Sequence, residues 1–251
     1  MQLTEALGLR DNEMTALIGA GGKTTALLRL AKELRGEDKK VLVTTTTKIF
    51  KPAKPHVDKL FLVQDVSTLL AESGNLPRPV IICAGYDMED DKVVGLPARW
   101  VDEIAASKHF DAVLVEADGA ASRLFKVPSE MEPVVPSACS LTIWLMAIKI
   151  LGKPLDSAWM HRPERAMALA GAVAGEPITQ EMILMLLRHP EGCLKGIPTG
   201  SRKVALINQA DSAEEIEKAQ HLGNALLTLG FERVVVNSFA GSNTSSRIIS
   251  G

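Results

Sequence analysis

Residues 14–18 are an apolar segment, and residues 24–34 carry Ala26, Leu27, Leu30, Ala31 and Leu34 at helical spacing. Between them stands Gly19-Ala20-Gly21-Gly22-Lys23-Thr24-Thr25. A strand that feeds a glycine-rich turn into a helix beginning Lys-Thr is the construction of a phosphate-binding loop. Glycines let a phosphate reach the backbone N–H groups, and the helix start adds unpaired donors and a partial positive charge. On this reading Gly19, Ala20, Gly21, Gly22, Lys23, Thr24 and Thr25 hold a nucleotide, ATP or GTP. Lys23 neutralises the β/γ phosphates, and the Thr24 hydroxyl is a ligand for Mg2+. The strict pattern puts a glycine six residues before the lysine, where this chain has Leu17. Two plainer readings compete. An ordinary strand–helix turn gains nothing from Lys-Thr-Thr. A dinucleotide fingerprint needs a glycine at Thr24 and an acid at the end of the second strand, where Thr44-Thr45-Thr46-Thr47 stand instead.

A second apolar strand, residues 110–115, runs into Glu116-Ala117-Asp118-Gly119. Residues two apart on a strand face the same side. Glu116 and Asp118 are therefore expected to face the phosphates together, as metal ligands with Thr24, Glu116 also orienting water or a nucleophile. The plainer reading is a strand end with hydrated acids. Thr44 to Lys48, ending a strand at 39–46, reads either as β propensity or as a lining for the γ-phosphate. In His161-Arg162-Pro163-Glu164, the proline and glutamate are an ordinary helix start. Arg162 and His161 are not required by it, and read equally as structure or as a phosphate contact and a proton carrier. After the strand at 204–207, Asn208-Gln209-Ala210-Asp211 resembles the N-K-x-D element with which GTP-binding proteins read guanine, with Gln209 in place of lysine. Ser212-Ala213-Glu214-Glu215 follows as a capping box, so Asp211 reads equally as part of a helix start.

The chain has 251 residues, enough for one sizeable core or a core with an inserted lobe. With 28 basic against 30 acidic residues and no basic block, nucleic acid is not an expected partner. Cys83, Cys139 and Cys193 show no metal spacing and read as core residues of a reducing compartment. The N-terminus lacks the apolar run of a secretory signal, and the apolar stretch 141–151 is too short to span a bilayer, so no membrane partner and a cytoplasmic location are expected. Further strands are expected at 59–63, 79–84, 140–150 and, last, 234–236. Helices are expected at 66–73, 98–108, 179–188 (Met182 and Met185 as core filler) and 212–229, with a hairpin at 86–94 and a frayed tail at 242–251. This alternation predicts an α/β three-layer, P-loop NTPase-like fold with a mainly parallel sheet, helices on both faces and ligand at the carboxyl ends of the strands. One domain, 1–251, is expected, with 126–200 as a cover or substrate lobe within it.

Taken together, the chain resembles the YqeC family, proteins regarded as accessories of selenium-dependent molybdenum hydroxylases. The resemblance rests on residues 19–25, Thr44 to Lys48, Glu116 to Ala120, Lys126, Glu132-Pro133-Val134-Val135-Pro136, His161 to Glu164 and Asn208 to Asp211, in that order. It implies a nucleotide-binding protein that serves the maturation of such a hydroxylase or its cofactor, and it gives no reaction. Three classes follow: an enzyme that consumes NTP, a nucleotide-gated chaperone or switch, and an ATP-dependent ligase, since Gly19-x-x-Gly22-Lys23-Thr24-Thr25 also looks like the loop of Mur-type ligases.

Overall fold

The computed structural model describes residues 1–240 and 245–249. In chain order its elements begin with α1 (Leu3–Leu7), β1 (Met14–Gly19), α2 (Lys23–Gly36), β2 (Lys40–Thr45), β3 (Lys48–Phe50), β4 (Lys59–Leu62) and α3 (Val66–Gly74). Next come β5 (Val80–Gly85), β6 (Asp87–Glu89), β7 (Lys92–Val94), α4 (Ala98–Ala106), β8 (Ala112–Glu116), β9 (Phe125–Lys126), β10 (Leu141–Ala147) and β11 (Met160–His161). The chain closes with α5 (Pro163–Ala170), α6 (Gln180–Arg188), β12 (Arg202–Asn208), α7 (Ala213–Leu227), β13 (Arg233–Ser238) and β14 (Ser245–Ile249).

Among the described residues, nine strands form one sheet in the order β14-β13-β12-β10-β1-β8-β2-β5-β4. Every pairing in it is parallel except β13 with β14. Strand alternation sorts the side chains into two cores. Ile18, Leu42, Val115, Trp144 and Ile207 join α4, α6 and α7 on one face; Leu17, Val43, Leu114, Leu145 and Leu206 join α1 and α2 on the other. Continuous burial of β1, β2, β8 and β10 is what a parallel sheet covered on both faces requires. This is the expected three-layer α/β fold. Of the span 126–200, β10 lies in the middle of the sheet, while β9 and β11 pair with each other outside it.

Parallel register gathers the strand ends. Glu116 lies opposite Leu17 on one side and Thr45 on the other, and Asn208 lies opposite Ala147. The glycine turn, the carboxylates and the asparagine therefore share the sheet's carboxyl edge.

Three expectations need correction. The strand expected to 150 stops at Ala147 and continues as a 3-10 turn, Ile148–Ile150; both isoleucines stay buried, so apolar content did not mark the change. Met185 is 48% exposed, on the outer side of α6, whereas Met182 is buried. Strand 234–236 is not the last, because β14 pairs antiparallel with β13 and sets Ile249 against Val234 and beside Gly223. A backbone ladder needs no distinctive side chains, which is why a polar tail hid it. The other residues of the tail expected to fray, 242–244 and 250–251, lie outside the described residues.

Candidate functional site

The turn after β1 is shaped by close approach. Gly19 and Gly22 have φ of 92° and 126°, and a Cβ on Gly19 would stand 2.2 Å from the Leu145 carbonyl oxygen. The first amides of the turn are engaged internally. Gly19 donates to Asp118 Oδ2 (2.9 Å), Ala20 to the Leu145 carbonyl (2.8 Å) and Gly21 to the Arg123 carbonyl (3.0 Å). The helix ladder begins only when Ala26 donates to the Gly22 carbonyl. Among the described residues, the N–H groups of Gly22, Lys23, Thr24 and Thr25 thus have no acceptor, and no side chain caps α2. Gly19, Ala20 and Gly21 build the turn; the next residues present its donors.

Charged side chains converge beneath these amides. Lys23, 4% exposed, donates to the Gly19 carbonyl (2.6 Å), and its Nζ lies 3.0 Å from Asp118 Oδ1 and 4.0 Å from Glu116 Oε1. Thr24 Oγ1 donates to Glu116 Oε2 at 2.8 Å. Among the described residues the buried Asp118 Oδ1 accepts no hydrogen bond, although the lysine is near enough to form an ion pair with it. Behind Asp118, the buried Lys126 lies 3.6 Å from Asp118 Oδ2 and 2.8 Å from Glu132 Oε2, and donates to the Gly119 carbonyl. Arg162 Nη1 donates to the same Glu132 oxygen at 2.6 Å. Buried ion clusters are costly to desolvate, so they are weak stability devices and common at functional sites.

Proton affinities follow from this packing. Burial pushes the Glu116 carboxyl up; Lys23 and the Thr24 hydroxyl oppose it without cancelling it. Burial acts on Glu132 in the same direction, but the Lys126 hydrogen bond and charge and the Arg162 guanidinium overcome it and hold the group at about 2. Burial, with the charges of Arg162 and Lys126, lowers His161 and favours its neutral form.

A cavity of about 820 Å³ opens on the turn, and Gly21 to Thr25, Glu116, Glu132 and His161 are in its wall. Thr47, Lys48, Lys92 and Arg123 line it too. Thr44, Thr45 and Thr46 do not; their hydroxyls donate to the carbonyls of Ala84, Glu116 and Val134. Asp118, Arg162, Asn208 and Asp211 stand outside this wall. Asn208 Nδ2 donates to the Gly21 carbonyl (2.8 Å) and its Oδ1 accepts from Asn237 (3.2 Å), so it braces the turn. Asp211 accepts from Lys149 and Ser238, each at 2.5 Å.

Sequence reasoning brought together Lys23, Thr24, Glu116 and Asp118. It named Lys126 and Glu132 among the residues that carry the resemblance, without the ion pair between them, and it missed Lys92 and Asn237. No local pattern marks these last two. Among the described residues no three His, Cys, Asp or Glu side chains cluster as a ready-made metal site. A Mg-nucleotide site needs fewer, since one or two carboxylates and the phosphates suffice. The Thr24 hydroxyl, the Glu116 carboxylate and the orphaned Asp118 oxygen are hard oxygen donors of that kind.

A family model described as YqeC protein matches residues 15–164. That span includes the turn, both carboxylates, Lys126, Glu132, His161 and Arg162, and ends before Asn208 and Asp211. An uncharacterized protein YqeC of Escherichia coli (strain K12) is 30% identical over 200 residues, 79% of this chain and 77% of that protein.

Proposed function

The chain belongs to the YqeC family, and from that premise we propose that it is a Mg-nucleotide-dependent enzyme, an NTP hydrolase or NTP-dependent transferase, acting in the maturation of a selenium-dependent molybdenum hydroxylase or its cofactor. One observation carries the nucleotide reading: the uncapped start of α2, with unpaired N–H groups at Gly22 to Thr25, opens on a cavity beside a buried lysine. A helix end without capping partners is a natural place for an anion. The hydroxylase assignment rests on the family resemblance alone.

In this reading the free amides and Lys23 bind the β/γ phosphates. Thr24, Glu116 and Asp118 would hold Mg2+, which supplies charge neutralisation at the transferring group. Lys23 exchanges its contact with Asp118 for a phosphate oxygen, an exchange of one anion for another. Glu116, whose carboxyl burial has made more basic, holds the attacking water or substrate hydroxyl. His161, neutral and in the cavity wall, accepts or returns a proton, and Arg162 keeps Glu132 ionised behind it. The test is phosphate release from Mg-ATP and Mg-GTP by the purified protein. Glu116→Gln should lower turnover about 10²-fold or more; equal turnover in the variant overturns the role of Glu116.

A second reading, a nucleotide-gated switch, is favoured by the chain of contacts from Asp118 through Lys126 to Glu132 and Arg162. It links the nucleotide side to the start of α5. Turnover slower than minutes, with partner affinity set by the nucleotide's state, would favour it.

A further inference from the structure

A second cavity, of about 450 Å³, adjoins the first and shares Leu124 and Gln209 with it. Its volume lies within the range of small-molecule sites. Trp159 and Leu151 give it apolar surface, Lys149 and Glu215 a polar side. Lys153 lies over the Trp159 ring with its ammonium 4.3 Å from the centroid. A stacked base can displace that contact, because base–aromatic stacking is stronger than an exposed cation–π pair.

The polar side decides which base gains. Guanine presents two adjacent N–H donors and needs both oxygens of one carboxylate. Asp211 is the carboxylate placed for this by the sequence, yet it is in the wall of neither cavity, and its Oδ2 already accepts from Lys149 and its Oδ1 from Ser238. Lys149 also lies 3.9 Å from Glu215. Gln209, in the wall of both cavities, offers one donor and one acceptor, which satisfy an adenine edge in full but leave the second N–H of a guanine edge without an acceptor.

We propose that this second cavity takes the nucleobase of a triphosphate held at Lys23, and that Lys149, by engaging Asp211, makes the site prefer adenine. Lys149 is thereby a specificity-determining residue, within the span that the family model matches. The inference rests on the nucleotide reading above and is tested so that the two can fail separately.

The experiment is calorimetric titration with Mg-ATP, Mg-GTP and Mg-tripolyphosphate, the last carrying no base. The wild-type protein should bind ATP about tenfold more tightly than GTP and than tripolyphosphate. Lys149→Ala combined with Ser238→Ala frees both Asp211 oxygens and should shift the ATP/GTP ratio about tenfold toward GTP, relative to tripolyphosphate. Trp159→Ala should bring ATP down to the tripolyphosphate level and leave tripolyphosphate unchanged. Because Trp159 packs partly against the core, its melting temperature without ligand is measured first; the half-exposed Lys149 is an independent test if that variant does not fold. Tripolyphosphate binding as tight as ATP, a wild-type preference for GTP, or an unchanged ratio in the Lys149→Ala, Ser238→Ala double variant overturns the base site. Failure of all three ligands to bind, or tripolyphosphate binding that survives Lys23→Ala, overturns the phosphate reading itself.

Discussion

Two strand–helix junctions on the same sheet edge are built from similar parts and end in opposite states. At β12 and α7, Ser212 and Glu215 form a complete capping box, Glu215 also accepts from the Asp211 amide, and Asp211 is paired with Lys149. At β1 and α2, among the described residues, the capping position is Gly22, no side chain caps the first turn, and the buried Asp118 Oδ1 beside it accepts no hydrogen bond. A helix start is common and carries little information. One left unpaired beside buried charge and an open cavity is the informative case.

The largest expected effect falls on the uncapped junction. Nucleotide at about a hundred times its dissociation constant stabilises by roughly 2.7 kcal/mol, about 5–10 °C for a chain of this size. Lys23→Ala should remove that shift in thermal melts with Mg-ATP while leaving a folded protein. Asn208→Ala tests the brace between the two junctions. It leaves the Gly21 carbonyl and the Asn237 amide without their partner, so denaturant unfolding should show a loss of about 2 kcal/mol, with weaker nucleotide binding beside it.

Glu132 gives a pH signature. Its folded pKa is depressed to about 2 from the ordinary 4.5. Its contribution is therefore complete above the ordinary value and disappears as pH falls from there toward about 2. Glu116, raised by burial, works the other way, since its cost is relieved as it protonates. Melting temperature between pH 6 and pH 3 should thus fall less steeply in Glu132→Gln than in the wild type. An equal slope in the two proteins would remove Glu132 from the acid response.

The smallest effect is expected at the capped junction. Ser212→Ala should cost about 1 kcal/mol of stability and leave the Mg-ATP shift unchanged. A nucleotide shift lost in this variant would erase the contrast between the two helix starts.

What the sequence made legible divides along the same line. The β1 turn, α2 and Glu116 at the end of β8 could be read locally, because apolar periodicity places them; Asp118 lies past the end of the strand, so alternation did not set it beside Glu116 in the cavity wall. The Ser212 capping box was readable locally as well. The brace from Asn208 to Gly21 spans 187 residues of sequence, and the link from Lys126 to Glu132 and Arg162 joins three loops or short elements. Nothing in their neighbours announces such partners. Nor could the sequence say that Thr44, Thr45 and Thr46 turn their hydroxyls to backbone carbonyls while Thr47 lines the cavity. β14 was missed because its pairing uses main-chain groups.

The claim that α2 begins at an anion site is tested most directly by amide NMR with Mg-tripolyphosphate. The resonances of Gly22, Lys23, Thr24 and Thr25 should move with saturation, and those of Ser212 to Glu215 should stay in place. Movement at neither helix start, or at the capped one alone, would contradict it.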